Sequence, residues 1–229
     1  MSLRRVAAPA LSRLPTGLRD ATDSLPVEIA NRKHHLWGVI RARKYQGRRG
    51  MAMHVGCGSV IKDGWVNVDL NRPADLTLDV RERLPFRDNS FSIIYSEHFF
   101  ELFSYPRDIT HLVSECHRVL EPGGVLSFAV PEGEMVLRHY VTQDVAGYTE
   151  AHLRWNPAWC KTRMDHVNYC LRQDGEHRSY YDEETMRRLL ETVGFVGIER
   201  REFDPAIDQE LRRVGSMYMK CTKGFAAGV

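Results

Sequence analysis

The chain has no long apolar run, no C-x-x-C pair and no even set of cysteines, and each absence removes a class of protein. Nothing approaches the ~20 consecutive apolar residues of a membrane-spanning helix. The first 19 residues are free of acids, as in a targeting peptide, but they lack the apolar core of a secretory signal. Five scattered cysteines (Cys57, Cys116, Cys160, Cys170 and Cys221) argue against a disulfide frame and for reduced thiols, so the expected compartment is the cytoplasm. Asp165, His166 and His177 match no standard ligand spacing, so no metal is expected.

Charge is plentiful but uneven. Residues 1–50 hold 11 Lys and Arg against 3 Asp and Glu, while the remainder carries 21 against 27. The basic segment reads either as a solvated leader and helix face, or as an arm for the acidic body, a homodimer mate, an anionic substrate or a membrane surface. Few aromatics interleave with its basic residues, so nucleic acid is not an expected partner. With 229 residues the chain can bury a substantial core as one domain with an arm.

The most informative stretch is Met51-Ala52-Met53-His54-Val55-Gly56-Cys57-Gly58, followed by Gly64-Trp65-Val66-Asn67-Val68-Asp69. It reads as a strand, a glycine turn and a second strand ending in a carboxylate. Glycines let the backbone bend and approach a ligand closely, and Asp69 stands where a carboxylate accepts from two ribose hydroxyls. A dinucleotide fingerprint needs a third glycine and an acid about 20 residues on. Here Ile61 takes the glycine's place and Asp69 follows Gly58 by eleven residues. The pattern suits a ligand with a ribose and no phosphate, a description that S-adenosylmethionine (SAM) meets.

Further along, Leu76-Thr77-Leu78-Asp79-Val80, Leu84-Pro85-Phe86-Arg87-Asp88-Asn89-Ser90-Phe91 through Ser96-Glu97-His98, and Arg118-Val119-Leu120-Glu121-Pro122-Gly123-Gly124 through Val130-Pro131 follow in order. With these motifs the chain resembles the class I SAM-dependent methyltransferases over roughly residues 51–200, in a bacterial group associated with sugar and natural-product pathways. The resemblance implies an α/β, Rossmann-like fold: a mostly parallel seven-stranded sheet, last strand antiparallel, with helices on both faces. It also implies that Gly56, Cys57 and Gly58 contact the cofactor through the backbone and that Asp69 holds the ribose, with Leu70 beside it. Asp79 would accept from the adenine amino group, with Val80 flanking the ring. Two departures stand out. His54 occupies the position of an acid that helps hold the cofactor's amino group, and Glu101-Leu102 stands where relatives carry Glu-His.

Periodicity predicts a helix over 24–45 after Ser24 and Pro26, strands near 51–55, 65–69, 75–78 and 91–96, and a helix over 106–120. Glu121–Gly124 is expected to turn into a strand at 125–130. A helix over 183–193 capped by Asp182 and stopped by Gly194 precedes strands near 195–201 and 216–222. The expected organisation is a basic leader (1–22), a helical arm (23–49) and a methyltransferase domain (50–229). Parallel strands usually need a dozen or more connecting residues. The short link from Gly58 to Val66 therefore predicts an open cofactor pocket, closed on that side by the N-terminal helix.

Ligands gather at the carboxyl ends of strands in such sheets. That makes Ser96, Glu97 and His98 the best-placed groups: His98 as base or acceptor-orienting group, Glu97 toward the methionine end of the cofactor. His177 is the alternative base. The irregular segment 131–181 is rich in aromatic and polar rings (His139, Tyr140, Tyr148, His152, Trp155, Trp159, His166, Tyr169, Tyr180, Tyr181) and is expected to bind the acceptor or to form a lid. The activity implied is O-methylation of a saccharide or secondary metabolite. The alternatives are a protein or lipid-linked acceptor, or a non-catalytic SAM-binding subunit.

Overall fold

The computed structural model describes residues 16–142 and 155–225, with side chains from residue 24 onward. Its centre is a seven-stranded sheet made of β1 (Met51–Val55), β2 (Val66–Asp69), β3 (Leu76–Thr77), β4 (Phe91–Glu97), β5 (Leu120–Pro131), β6 (Phe195–Arg200) and β7 (Ser216–Lys223). The strand order is β3-β2-β1-β4-β5-β7-β6. The first five strands run parallel, and β7 lies antiparallel between β5 and β6. This is a mostly parallel, Rossmann-like sheet with its last strand antiparallel, as expected. Its central strands are buried on both faces, so Met53, Val55, Val68, Ile94, Leu126 and Phe128 read as near-continuous apolar runs.

Helices flank the sheet: α1 (Thr16–Ala42), α2 (Arg107–Val119), α3 (Gly133–Thr142), α4 (Arg163–Arg172) and α5 (Glu183–Val193). In α2, Ile109, Leu112, Val113, Cys116 and Val119 form the buried face. In α5, the Asp182 carboxylate accepts from the Thr185 N–H at 2.8 Å, and Gly194 ends the helix at φ 102°.

Three boundaries differ from expectation. Helix α1 begins at Thr16, not residue 24, so Pro26 lies inside it and part of the expected unstructured leader is helical. Proline removes only its own N–H bond and crowds the preceding turn, leaving helical dihedrals available on either side. The C-terminal half of α1 is then fixed by close packing on β3. A Cβ on Gly38 would lie 2.2 Å from the Thr77 carbonyl oxygen. Second, β5 starts at Leu120 without a preceding turn. Leu120 already pairs with Phe91, and a register shift between Phe91 and Ile93 absorbs the Glu121–Gly124 segment. Third, the segment expected to be irregular contains α3 and α4. They pack through Val136, Val167 and Cys170 as a small core of their own. Residues 1–15, Tyr148 and His152 lie outside the described residues.

Candidate active site

The carboxyl ends of β1, β2 and β4 open onto a cavity of about 510 Å³. His54, Gly56, Cys57, Gly58, Asp69, Leu70, Asp79, Val80, Glu97 and His98 line it, joined by Glu28 and Asn31 of α1. The arm therefore walls the cavity on the side of β3 and Arg81, where Thr77 bonds the His34 carbonyl and Arg81 pairs with Glu28. Ser96 does not line it; this residue is buried beneath, and its Oγ has no hydrogen-bond partner.

The glycine turn has a stated cause at each end. Gly56 sits at φ 69°, and a Cβ there would lie 2.1 Å from the Phe99 ring. Its N–H donates to the Val68 carbonyl at 2.8 Å. Gly58, at φ 52°, has no atom within 4 Å of where a Cβ would stand, which leaves an open cradle. Its N–H donates to Asp69 Oδ2 at 3.0 Å, while Asn71 N–H donates to Oδ1 at 2.8 Å. Two backbone donors thus aim Asp69, and each oxygen keeps a lone pair for a ligand hydroxyl.

What replaces a crossover helix is Asn67, only 1% exposed. Its side chain accepts from Lys62 N–H at 2.9 Å and donates to the carbonyls of Lys62 and Trp65 and to Asp75. One buried amide folds the loop onto β2, a role that strand periodicity could not reveal.

Asp79 is more engaged than the sequence implies. Both its oxygens accept from Arg81, at 2.7 to 3.1 Å, and Arg81 also pairs with Glu28 of α1 at 2.8 Å. Burial raises the Asp79 carboxyl, but the Arg81 hydrogen bonds outweigh it and hold the group below its ordinary range. His54 is 2% exposed, and burial together with the Lys62 charge lowers its pKa to about 3. The ring is therefore neutral, and its buried Nδ1 has no hydrogen-bond partner. Burial, with help from Asp69, pushes the Cys57 thiol up to about 12, so it is no nucleophile at neutral pH.

The loop between β6 and β7 contributes residues that no sequence motif announced. Gln209 donates to both oxygens of Glu97, through its backbone N–H at 3.0 Å and its side-chain amide at 2.5 Å, while Arg212 donates to the Glu97 carbonyl at 2.9 Å. The loop is anchored by buried Asp208. This carboxylate accepts from Arg201 at 2.6 and 2.7 Å and from the Tyr95 hydroxyl of β4 at 2.8 Å.

A second cavity, about 360 Å³, adjoins the first and shares His98, Leu102 and Arg212 with it. Trp155, Tyr169, Gln173, Glu176, His177 and Tyr180 line it. The two histidines singled out as alternative bases thus face the same space. Between them lies Glu101, 1% exposed, with Oε1 3.8 Å from His98 Nδ1 and 3.9 Å from His177 Nε2 and with Oε2 unpaired. The Ser216 hydroxyl donates to the Arg212 carbonyl, so at its 2.6 Å contact with His98 Nε2 it is the acceptor. His177 Nδ1 donates to the Cys170 carbonyl at 3.1 Å. In these tautomers, inferred from the partners, both imidazoles turn their lone-pair nitrogens toward Glu101. At these distances no hydrogen bond joins them, but an ionised Glu101 would face only lone pairs, which favours its protonated form. Burial supplies the same answer by raising Glu101 from 4.5 to about 8.

Other rings of this segment are structural. Asp165 closes a capping box with Thr162 at the start of α4. His166 bonds Asn156 at 2.8 Å and meets His139 edge-on between α3 and α4, while Tyr181 is buried with its hydroxyl 3.3 Å from the Phe100 carbonyl.

Residues 54–128, about a third of the chain, match the model of a methyltransferase domain family. No curated protein matches the chain. Among solved structures, the chain is similar to a SAM-dependent methyltransferase from Archaeoglobus fulgidus, with 16% identity and a TM-score of 0.49 over 81% of this chain and 92% of that one. It is also similar to a SAM-dependent methyltransferase from Methanosarcina mazei, with 16% identity and a TM-score of 0.48 over 80% and 97%. A third likeness is to phosphoethanolamine N-methyltransferase 2 of Haemonchus contortus, in complex with SAM, with 14% identity and a TM-score of 0.45 over 82% and 52%.

Proposed function

We propose that this protein is a SAM-dependent methyltransferase that methylates a hydroxyl of a saccharide or secondary metabolite. The observation that carries the reading is the junction of the two cavities at His98, one built for a nucleoside and the other walled by aromatic rings. The first cavity fits SAM in its donor set. Asp69 offers acceptors for the ribose, the open cradle at Gly58 admits a ligand against bare backbone, and the neutral His54 ring beneath adds no positive charge to repel the ammonium. Asp79, tied through Arg81 to Glu28, turns the adenine side toward α1. Glu97, with both oxygens held by Gln209, shapes the inner wall.

Bound SAM supplies a methyl group already activated by its sulfonium, so the protein's task is to aim an acceptor atom and take its proton. Trp155, Tyr169 and Tyr180 offer faces for a ring, and Gln173, Glu176 and Arg212 offer polar groups for its substituents. His98 orients the acceptor at this junction; with Nδ1 toward Glu101 and Nε2 on Ser216, it takes the hydroxyl proton only after a ring rotation that frees one nitrogen. Glu101 and His177 pack against the His98 ring and fix its resting orientation.

Calorimetric titration with SAM and S-adenosylhomocysteine, followed by transfer of labelled methyl to a panel of sugars and glycosylated metabolites, tests the reading. Binding of neither ligand overturns it. In the enzyme that binds both, His98→Gln lowers kcat ~10²–10⁴-fold while leaving the SAM affinity nearly unchanged. Equal turnover in that variant removes His98 from the base role.

A further inference from the structure

Helix α1 has a face the body of the protein does not use. Asn31, His35, Gly38 and Ala42 point inward, whereas Leu25, Ile29, Leu36 and Ile40 are 49 to 60% exposed, and Trp37 beside them is 66% exposed. At 3.6 residues per turn the four aliphatic side chains fall within an arc of ~60° along ~22 Å of helix. Scattered exposed apolar residues need no explanation, but a continuous stripe does.

We infer that this stripe docks α1 in the interface of an anionic lipid bilayer. Charge selects this occupant. Residues 24–49 carry seven Lys and Arg against Glu28 alone, and Glu28 is already paired with Arg81. Lys33 borders the stripe at its middle, Arg32 beside it is held to Glu82 of the body at 3.2 Å, and Arg41, Arg43 and Lys44 follow at its end. Such side chains lay their stems along apolar surface and lift their charges toward phosphate. A second copy of the chain would bring the same cations against themselves. The composition, aliphatic and tryptophan on one side with lysine and arginine at the edges, is that of a helix lying in a membrane surface. No helix among the described residues is long and apolar enough to cross one. The same helix supplies Glu28 and Asn31 to the first cavity, so docking would set that cavity beside the lipid headgroups.

The test is co-sedimentation of the full chain with vesicles of phosphatidylcholine alone or mixed with phosphatidylglycerol. The expected result is binding to the anionic vesicles only, weakened by about an order of magnitude in high salt. The double variant Leu36→Asp, Ile40→Asp touches neither cavity and should partition about a hundredfold less while unfolding at the wild-type temperature. Should that variant misfold, the salt and lipid dependence of the wild type stands as the test. Absence of binding to anionic vesicles, equal binding to neutral ones, or a wild-type dimer in sedimentation equilibrium that the double variant makes monomeric each overturns the proposal.

Discussion

The two cavities that meet at His98 are made in different ways. Most of the first comes from one run of chain, from His54 to Phe103, with glycine, asparagine and carboxylate groups pinned by bonds to backbone within about a dozen residues. The second draws on residues near 98–102, 131, 155–180 and 211–214, which meet only when the sheet is complete. A site built locally leaves its record in motif spacing. A site built from distant segments leaves only an enrichment in suitable residue types.

Substitutions can break that comparison or sharpen it. The largest expected effect is at Arg201, 10% exposed at its side chain and paired with an Asp208 carboxylate that is wholly buried. Arg201→Ala leaves that charge unpaired and should cost ~3–5 kcal/mol of stability in urea titration. Because Asp208 anchors the loop bearing Gln209 and Arg212, SAM affinity should fall as well. Unchanged affinity would mean the first cavity needs nothing from the C-terminal loop, and would make the contrast between the two cavities sharper still.

Next in size is Glu101. Folded, it keeps its proton up to about 8; an unfolded chain loses it near 4.5. Between those values the folded state binds the extra proton, so the contribution of Glu101 to stability falls as pH rises, by up to ~1.4 kcal/mol per unit, opposed below 6.5 by buried neutral His54, and it levels off above the folded value. Glu101→Gln should flatten the curve across that window. Urea midpoints measured across it decide the matter; an unchanged slope places the titration elsewhere.

The smallest effect is expected where the site is most local. Asp69→Ala should weaken SAM binding by ~1–3 kcal/mol, the range for lost buried hydrogen bonds, and should barely alter the unfolding midpoint. A large loss of stability would instead make Asp69 chiefly a brace for the glycine turn.

Much of this molecule is legible in the chain itself. Alternation of apolar segments with turn residues locates every strand to within a few residues, except that β5 starts earlier and runs longer, and Asp182 and Gly194 bound α5 as their chemistry demands. Gly56, Gly58 and Asp69 were legible because a tight turn and a nearby carboxylate are short-range requirements. Glu101 was not. As a single glutamate after a strand it has no pattern; only burial between two histidines, one of them 76 residues further along, gives it meaning. Gln209 and Asp208 escaped for the same reason, since their partners Glu97 and Tyr95 lie more than a hundred residues away.

Local chemistry in the sequence therefore determined the strands, the glycine turn and the carboxylate bonded to it, because those depend on dihedral preference and on contacts within about a dozen residues. The tertiary structure decided which histidines flank Glu101, which loop closes over Glu97 and which face of α1 is left bare. Each of these depends on burial and on pairs of groups that chain connectivity keeps far apart until the sheet assembles.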